Sequence, residues 1–570
     1  MQHRGVVFML FMAIAVGAVA GVGAWGFRML IGVVHNLGFL GRFAFEYDAN
    51  AFTPASPWGL GVVLVPVAGA LVVAWLVKNY APEAKGHGVP EVMDAIYYND
   101  GRIRPRVAVV KSLASAISIG SGGSVGREGP IVQIGSAFGS TLGTLIAMRA
   151  SDRVTLIAAG AGAGIAATFN APLGGTLFAI ELLLVSVTAR TLLLVTAAVV
   201  VATRISHLLL GTYPSFYIPA LETPDFVLTR PLALTVFAVL GAAMGILSAV
   251  FIRGLYWMED VFEALPGNYY TRHALGMFCV GVMMFLLFRH AGHYYVEGVG
   301  YATIMEILRG GLTSVSFLLL LTALKLLATC LSLGSGASGG VFSPGLFMGA
   351  AGGVAFGHLC QWLVPGLGLT TPAFAIAGMA AMIAGSTGAV LTGIVMLTEM
   401  TRDYSVILPV LVTCALAYVV RRGIMKDSIY TMKLRARRHA VPQGLHAAAL
   451  TSEELRDLMT KDFAVVAQAE TAPEGTAIIV RSEDGMIASV FQRSGAGSGT
   501  GSSGPDGRTL RYKVLPEQAT PLSAVRAVCE ERAELILVSR RPDSGRTEDV
   551  VGVVTAAVLA RAVATDDEMS

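Results

Sequence analysis

Long apolar runs with few or no charged residues recur through the first 440 residues of the chain. Several of them approach the roughly 20 residues that an α-helix needs to cross the hydrocarbon core of a bilayer. One such run would fit a buried core helix or a signal sequence, whereas a whole series predicts a chain that crosses a membrane many times. The runs cover residues 6–26, 58–77, 232–251, 275–288, 315–333, 373–397 and 406–420.

The first run has some features of a signal peptide, because its start is basic and Ala18-Val19-Ala20 matches a signal-peptidase site. The apolar character continues beyond that site, and further runs follow. We therefore interpret the first run as the first membrane helix.

Glycine and proline interrupt the apolar sequence repeatedly, and pieces such as 107–119 and 131–147 are too short to cross a bilayer alone. Non-helical backbone at membrane depth must be buried in protein or line a polar cavity. When such breaks occupy corresponding places in two halves of a transporter, they point to the substrate site.

Two pairs of segments indicate that the membrane part is an internal duplication. The first pair is offset by 214 residues and the second, which ends on Glu181 and Glu399, by 218 residues. Transporter repeats are commonly inverted, which we expect here. Because Glu181 and Glu399 are equivalent by the repeat, we interpret them as structural acids at helix ends or at a dimer interface. The paired segments are 120–126 with 334–340 and 160–181 with 378–399.

Composition agrees with this pattern, since 54% of the 570 residues are hydrophobic and only 14% are charged. Soluble chains carry about 25% charged residues. From residue 451 the sequence becomes mixed and soluble in character, with a Gly/Ser-rich linker at 494–507. We predict an all-α polytopic membrane domain with broken helices over 1–440 and a small cytoplasmic α/β domain over 441–570. In that domain, helices are expected at 521–533 and 556–563 and strands at 535–538 and 550–554.

Charge distribution orients the chain, although the net charge of +3 says little about partners. Seven lysines and arginines cluster between residues 421 and 439, and by the positive-inside bias this stretch faces the cytoplasm. The C-terminal domain is then cytoplasmic too. The five cysteines lie far apart with no CxxC motif, so neither disulfides nor a metal site are expected.

Three Gly-rich breaks predict an anion site. Gly126-Arg127-Glu128-Gly129-Pro130 places ionisable groups inside an apolar region, where they cost several kcal/mol and usually mark a transport pathway. A helix N-terminus with free N–H groups binds anions. The segments 86–90 and 339–344 also end in proline just before a helix. We therefore expect several helix N-termini to converge on one anion.

These segments resemble the CLC family of chloride channels and proton-coupled chloride exchangers. The family's motifs GSGIP, G(K/R)EGP and GxFxP correspond to GHGVP at 86–90, GREGP at 126–130 and GVFSP at 340–344. The blocks 170–181 and 397–401 match as well, so the resemblance covers about residues 1–440 in the family's order. It implies a homodimer with one pore per subunit that carries chloride, with protons as a second substrate in exchangers.

The resemblance also assigns roles to individual residues. Glu128 corresponds to the gating glutamate, and Tyr430 to the tyrosine that donates to the central anion and forms an inner gate. The backbone N–H groups of Val341 and Phe342 correspond to those that hold this anion. The predicted anion-binding residues are His87, Gly88, Arg127, Gly129, Val341, Phe342 and Tyr430.

Two positions depart from the family pattern. His87 replaces the usual serine, and an imidazole donates one hydrogen bond when neutral and two when protonated, so anion preference and pH response are open. Leu182 stands where exchangers often carry a second, inner proton acceptor. A leucine cannot titrate, which favours a channel or an exchanger with a different inner proton route.

The C-terminal domain resembles a CBS module, a nucleotide-sensing unit. Residues 455–460 resemble the start of one copy, which ends early after Val490, and 520–564 resemble a second copy. An adenine nucleotide is its candidate ligand; no other cofactor is expected.

Plainer alternatives exist for the key residues. Glu128 could form a structural ion pair with Arg127, Tyr430 could be an interfacial aromatic residue, and His87 could cap a helix.

Other function classes lack their signatures in the sequence. A membrane-embedded enzyme needs a nucleophile–base pair or HExxH, a cation transporter needs several acids at membrane depth, and an ATP-driven pump needs a Walker A motif. The GxGxxG spacing at 334–339 follows an apolar run rather than a short strand, so we reject nucleotide binding there. We expect a transporter in a bacterial plasma membrane, with lipid but no nucleic acid as partner.

Overall fold

The computed structural model describes residues 5–184, 186–212, 215–216, 231–363, 369–439, 441, 454–467, 477–482, 484–492, 508–541 and 544–559. The chain divides into two compact units. The first comprises residues 1–94, 102–146 and 155–440, and the second comprises 95–101, 147–154 and 441–570.

Helices make up the regular structure described in the first unit, which confirms the predicted all-α membrane fold. The helices, in chain order, are α1 (Val6–Leu40), α2 (Leu64–Tyr80), α3 (Val89–Tyr98), α4 (Pro105–Gly120), α5 (Glu128–Leu145), α6 (Ala150–Phe169), α7 (Pro172–Leu182), α8 (Ala189–Leu210), α9 (Pro231–Ala264), α10 (Tyr269–Ala291), α11 (Tyr301–Leu308), α12 (Val315–Ser335), α13 (Phe342–Leu363), α14 (Thr371–Thr387), α15 (Val390–Thr401), α16 (Ile407–Ile424) and α17 (Thr431–Ala436).

Within the described ranges, eight helices are long and apolar enough to cross a membrane, if α2 is counted with the 3₁₀-helix Gly59–Val63 that precedes it. They are α1, α2, α8, α9, α10, α12, α13 and α16. The others are shorter or less apolar, as the predicted breaks require. The two that the hydropathy runs missed are α8, whose apolar sequence is interrupted by Arg190 and Arg204, and the glycine-rich α13.

The apolar run 373–397 is not one helix but parts of two. Helix α14 ends at Thr387, Gly388 adopts a left-handed φ of 86°, and α15 begins at Val390. A glycine in this conformation terminates a helix without the steric penalty that a Cβ would bring. Hydropathy does not detect the break, because only Ser386 and Thr387 interrupt the apolar sequence there and the run continues on both sides.

Helices α7 and α15 contact each other reciprocally, which identifies the duplication as an inverted repeat. The Glu181 carboxylate at the end of α7 accepts hydrogen bonds of 2.9 and 2.7 Å from two N–H groups in the first turn of α15. Glu399, at the end of α15, accepts bonds of 3.0 and 2.7 Å from the first turn of α7. Each helix therefore runs antiparallel to the other, and exchanging the two repeats leaves the contact unchanged. Both acids act as helix-end groups.

Glycines at equivalent positions allow close packing of α5 against α6 in the first half and of α13 against α14 in the second. A Cβ added to Gly135 on α5 would lie 2.1 Å from the carbonyl oxygen of Gly160 on α6. In the second half, a Cβ on Gly349 of α13 would lie 2.4 Å from the carbonyl oxygen of Gly378 on α14. Small residues of this kind allow membrane helices to pack backbone against backbone.

The C-terminal part of the second unit contains two small sheets. In the first sheet, β1–β2 is parallel and β2–β3 and β3–β4 are antiparallel; in the second, β5–β6 is parallel and β6–β7 antiparallel. The succession of a parallel and then an antiparallel pair thus occurs twice, while assignment to the CBS family stays a prediction. The elements are α18 (Leu455–Leu458), β1 (Phe463–Val466), β2 (Ala477–Arg481), β3 (Ile487–Gln492), β4 (Arg508–Thr509), β5 (Tyr512–Pro516), α19 (Pro521–Glu530), β6 (Leu535–Ser539) and β7 (Val550–Thr555).

The secondary structure expected in this region agrees with these elements. Helix α19 and strands β6 and β7 lie where they were predicted. Residues 556–559 are helical, whereas the rest of the helix predicted over 556–563 and the whole linker 494–507 lie outside the described residues.

Candidate functional site

The three Gly-rich breaks meet in the first unit through backbone hydrogen bonds. Gly126 and Gly340 exchange a reciprocal pair, with N···O distances of 2.8 and 2.7 Å. Gly86 donates to the carbonyl of Ala337 (3.0 Å) and accepts from the N–H of Gly339 (3.3 Å). The loops before α3, α5 and α13 therefore converge, as the sequence predicted.

Two buried lysines hold the loops that flank these breaks, and sequence reasoning did not single them out. Lys111 on α4 donates to two carbonyls in the loop before α3, one of them at 3.0 Å. Lys325 on α12, 214 positions further on, donates to two carbonyls in the loop before α11 at 3.0 and 2.8 Å. Their equivalent positions in the two repeats were the sequence signal that could have identified them. Each lysine therefore satisfies carbonyls of buried loop backbone, which has no helical hydrogen bonds of its own.

Glu128 occupies the centre of the converging loops. Its side chain is buried, and its carboxylate accepts hydrogen bonds from the Phe342 N–H and, at 3.2 Å, from the Ser343 hydroxyl. These donors belong to the first turn of α13, so the carboxylate lies where a free anion would bind a helix N-terminus. Gly126 and Gly340 make room for it, since a Cβ at either position would lie within 2.1 Å of a carboxylate oxygen.

The Arg127 guanidinium has other partners. It donates to the carbonyl of Thr168 (3.2 Å), and its central carbon lies 5.7 Å from the Phe169 ring centroid and 5.1 Å from that of Tyr301. No ion pair found among the described residues joins it to Glu128, which disfavours a structural ion pair. The Arg127 Nε is buried and has no hydrogen-bond partner among the described residues, and anion binding by Arg127 stays a prediction.

His87 and Tyr430 lie close together, with ring centroids 6.0 Å apart. Both side chains are buried, and within the described structure neither His87 Nδ1 nor Tyr430 Oη has a hydrogen-bond partner. Buried polar atoms nearly always have a partner, so these two point to a ligand or water. The residues proposed from the sequence are thus side by side, while their roles stay predictions.

Gln133 adds a polar atom that sequence reasoning missed. It lies on α5, is buried, and its Oε1 also lacks a partner among the described residues. A Cβ added to Gly88 would lie 2.8 Å from this oxygen, and one added to Gly129 would lie 3.1 Å from the Gly88 nitrogen. Both glycines are therefore needed for the close approach of the loops. Val341, the remaining predicted residue, is buried beside Gly340.

Tyr256 on α9 determines which nitrogen of His87 is free. The Tyr256 hydroxyl donates to the carbonyl of Ile429 (2.7 Å) and lies 3.2 Å from His87 Nε2. Because the hydroxyl has only one proton, Nε2 must donate to it. Neutral His87 then has a bare lone pair on Nδ1, and Nδ1 becomes a donor only in the imidazolium.

Comparison with known proteins gives a consistent result. A family model described as voltage-gated chloride channel matches residues 69–422. The H(+)/Cl(-) exchange transporter ClcA of Vibrio parahaemolyticus is 33% identical over 437 residues, which is 75% of this chain and 89% of the relative. The protein of that name from Salmonella schwarzengrund is 33% identical over 435 residues, covering 74% of this chain and 87% of the relative.

Solved structures extend the similarity to three dimensions. A slow cyanobacterial Cl⁻/H⁺ antiporter shares 28% identity and a TM-score of 0.66, covering 76% of this chain and 99% of that one. A eukaryotic CLC transporter shares 21% identity and a TM-score of 0.63, covering 96% of this chain and 97% of that one. At this lower identity the similarity concerns the fold alone.

Proposed function

This chain belongs to the voltage-gated chloride channel family, whose model matches residues 69–422, and on that premise we propose that it carries chloride across a membrane in exchange for protons, with Glu128 as the gate. Its membership and its apolar helices make it a multi-pass integral membrane protein. The proposed activity is transport rather than chemical catalysis.

The position of the Glu128 carboxylate carries this proposal. The carboxylate accepts the hydrogen bond of the Phe342 N–H. Chloride and the ionised carboxylate therefore compete for the same donor. Protonation removes the negative charge and weakens the hold of the carboxyl group on this N–H, since hydrogen bonds to charged acceptors are the stronger ones. Chloride can then take its place. Competition of this kind links anion entry to proton uptake by one residue.

The atoms without partners support a second, inner anion position. Tyr430 Oη can donate to an anion in its neutral form. His87 Nδ1 can do so only after protonation, because Nε2 already donates to Tyr256. We assign the inner part of the pathway to Tyr430 and His87 on this basis.

An uncoupled chloride channel is the second candidate. The relatives named above are exchangers, which favours proton coupling, whereas Leu182 favours a channel because it cannot accept a proton. An exchanger would need an inner proton acceptor elsewhere.

Chloride flux from liposomes, measured with and without a proton ionophore, tests the proposal. We expect a chloride gradient to drive protons uphill, and Glu128→Gln to abolish proton movement while making chloride flux independent of pH. Glu263→Gln is the matched control, because Glu263 is an exposed acid that pairs with Lys85 at 3.7 Å. Chloride flux without proton movement in the unaltered protein would establish the channel, and an absence of chloride flux would refute both candidates.

Three finer assignments belong to the same proposal. We propose a homodimer with one pore per subunit, placed in a bacterial plasma membrane with the basic stretch 421–439 and the C-terminal domain in the cytoplasm. We also propose an adenine nucleotide as the ligand of the CBS-like domain. Equilibrium dialysis of labelled nucleotide against the whole protein tests this last point.

A further inference from the structure

A cavity of about 30 Å³ lies between the loop that follows α1 and the loop that precedes α11. A cavity that can hold a water molecule needs about 10–15 Å³, so this one has room for one or two. Its lining includes Tyr47, Thr53, Tyr294, Glu297 and Tyr301.

The cavity lies at the opposite end of the helices from the basic stretch 421–439. Near that stretch, Tyr256 in the last part of α9 donates to the carbonyl of Ile429. Helix α10 begins at Tyr269 shortly after α9 ends, and its 23 residues extend for about 34 Å before the loop that lines the cavity. With the basic stretch in the cytoplasm, the cavity belongs to the outer face.

Glu297, which lines this cavity, pairs with the imidazole of His35. The Glu297 carboxylate lies 2.9 Å from His35 Nε2 and accepts a hydrogen bond from the Thr53 hydroxyl at 3.1 Å. The two side chains are largely buried, with exposed fractions of 6% for His35 and 10% for Glu297. Neither group has a role in the anion site described above.

Two hydroxyl groups connect the cavity with the gate. Tyr301 lines the cavity, and its Oη lies 2.9 Å from the Oγ of Ser343. The Ser343 hydroxyl in turn lies 3.2 Å from Glu128 Oε2. All three side chains are buried, so the chain is shielded from bulk solvent along its length.

Positive charge surrounds this route and opposes the entry of a bare proton. Arg127 lies over the Tyr301 ring, and the Lys325 ammonium binds the carbonyls on both sides of Glu297. A carboxylate at the entrance offsets these cations and gives an incoming proton a place to bind. The charged and titratable groups within electrostatic reach of Glu297 are Tyr47, Tyr294 and Lys325, and those within reach of Tyr301 are Arg127 and Glu128.

We propose that Glu297 and His35 form a proton-loading site on the outer face, and that Tyr301 and Ser343 relay protons between this site and Glu128. The relay rests on the proposed function, in which Glu128 gains and loses protons during transport. A proton passes from the pair through cavity water to Tyr301, the Tyr301 proton passes to Ser343, and the Ser343 proton passes to the carboxylate. Each hydroxyl gives one proton and receives one, so only Glu128 and the loading site change charge.

Time-resolved infrared spectroscopy after a pH jump follows the protonation of Glu128 in the whole purified protein. The Glu128 carboxyl band is the one that Glu128→Gln removes. We expect Tyr301→Phe to slow its appearance by about tenfold or more and to change the H₂O/D₂O rate ratio, as loss of a positioned proton carrier requires. The matched control is Tyr294→Phe, because Tyr294 lines the same cavity but its hydroxyl accepts from the Ser56 N–H (3.3 Å).

Glu297→Gln tests the other end of the relay. It also provides an independent test of the relay if Tyr301→Phe fails to fold. We expect it to slow Glu128 protonation, and Glu297→Asp to restore most of the rate. If the Tyr301→Phe and Glu297→Gln variants protonate Glu128 as fast as the Tyr294→Phe control, the relay is wrong.

Chloride flux measured on the same samples separates the two proposals. If the unaltered protein carries no chloride, the proposed function fails while the infrared rates still decide the relay. If chloride flux depends on Glu128 and the infrared rates do not depend on Tyr301, the relay alone fails.

Discussion

At the residue scale, the protonation of His87 decides what this side chain offers an anion. The Tyr256 hydroxyl donates its only proton to the Ile429 carbonyl, so His87 uses Nε2 as the donor to Tyr256 and keeps a lone pair on Nδ1. A serine at this position would donate to an anion at any pH. The histidine donates only as an imidazolium, and a nearby anion stabilises that form.

Burial and the nearby cations Lys433, Lys111 and Arg437 lower the pKa of His87 below its usual value, so we expect chloride binding to tighten only as the pH falls below the range in which histidine commonly titrates. Calorimetric chloride titrations at several pH values measure this, on a Glu128→Gln background that removes the titration of the gate. His87→Ser should flatten the profile, because a hydroxyl donates without protonation. An identical profile with either residue would mean that His87 is a structural side chain held by Tyr256.

Glu128 and its neighbours show why single residues matter so much here. The carboxylate has little space, since a side chain at Gly126 or at Gly340 would collide with its oxygens. Its hydrogen bonds come from Phe342 and Ser343, which are remote in sequence. In the proposed mechanism, one proton or one anion is enough to change these hydrogen bonds.

At the element scale, the reciprocal contact of α7 and α15 stabilises the inverted repeat. Each carboxylate accepts from two backbone N–H groups that a helix N-terminus leaves without an internal partner. The negative charge also compensates the positive end of the helix dipole. The same interaction occurs twice, once in each direction.

We expect Glu181→Gln and Glu399→Gln to lower the free energy of unfolding by similar amounts, about 1–2 kcal/mol each, because each replaces a charged acceptor at an equivalent helix terminus. Thermal unfolding of the detergent-solubilised protein measures this, with Glu263→Gln as the exposed control. Glu181 also accepts from the Thr392 hydroxyl (2.6 Å), so its variant should be the slightly less stable of the two. A loss confined to one position would argue against equivalent roles.

At the scale of the whole molecule, the inverted repeat brings α5 and α13 together at their N-terminal ends. The Gly126–Gly340 pair joins the two halves there, and the loop before α3 completes the arrangement. The repeat leaves the two halves unequal in chemistry, because the first carries Glu128 and the second offers the donors that hold it. The candidate site is therefore formed by contacts between the halves.

The proposed proton coupling involves the whole pathway, and Leu182 at the end of α7 stands at the position predicted for an inner proton acceptor. We expect Leu182→Glu to raise the number of protons moved per chloride, because a carboxylate can accept a proton where leucine cannot. Simultaneous recording of proton and chloride flux in liposomes measures the ratio. Leu182→Gln is the matched neutral control. An unchanged ratio would show that protons enter from the inner side by another route.

The sequence by itself determined the features that depend on local composition. Apolar runs predict membrane helices because the bilayer core requires them, and the Gly-rich motifs predict helix breaks because glycine permits close backbone approach. The two pairs of similar segments indicated the duplication, and the motif around Glu128 indicated the candidate site. The helix and strands predicted for the C-terminal region followed from periodicity in the same way.

Only the tertiary structure decided which distant groups meet. Tyr256 reaches Ile429 across 173 positions of sequence, and Ser343 reaches Glu128 across 215. Hydrogen bonds between residues so far apart in the sequence depend on how helices pack, and no local sequence pattern encodes them. The same holds for Gly388, whose left-handed conformation ends a helix inside an apolar run. Burial then makes each such contact consequential, because a buried polar group without a partner is costly.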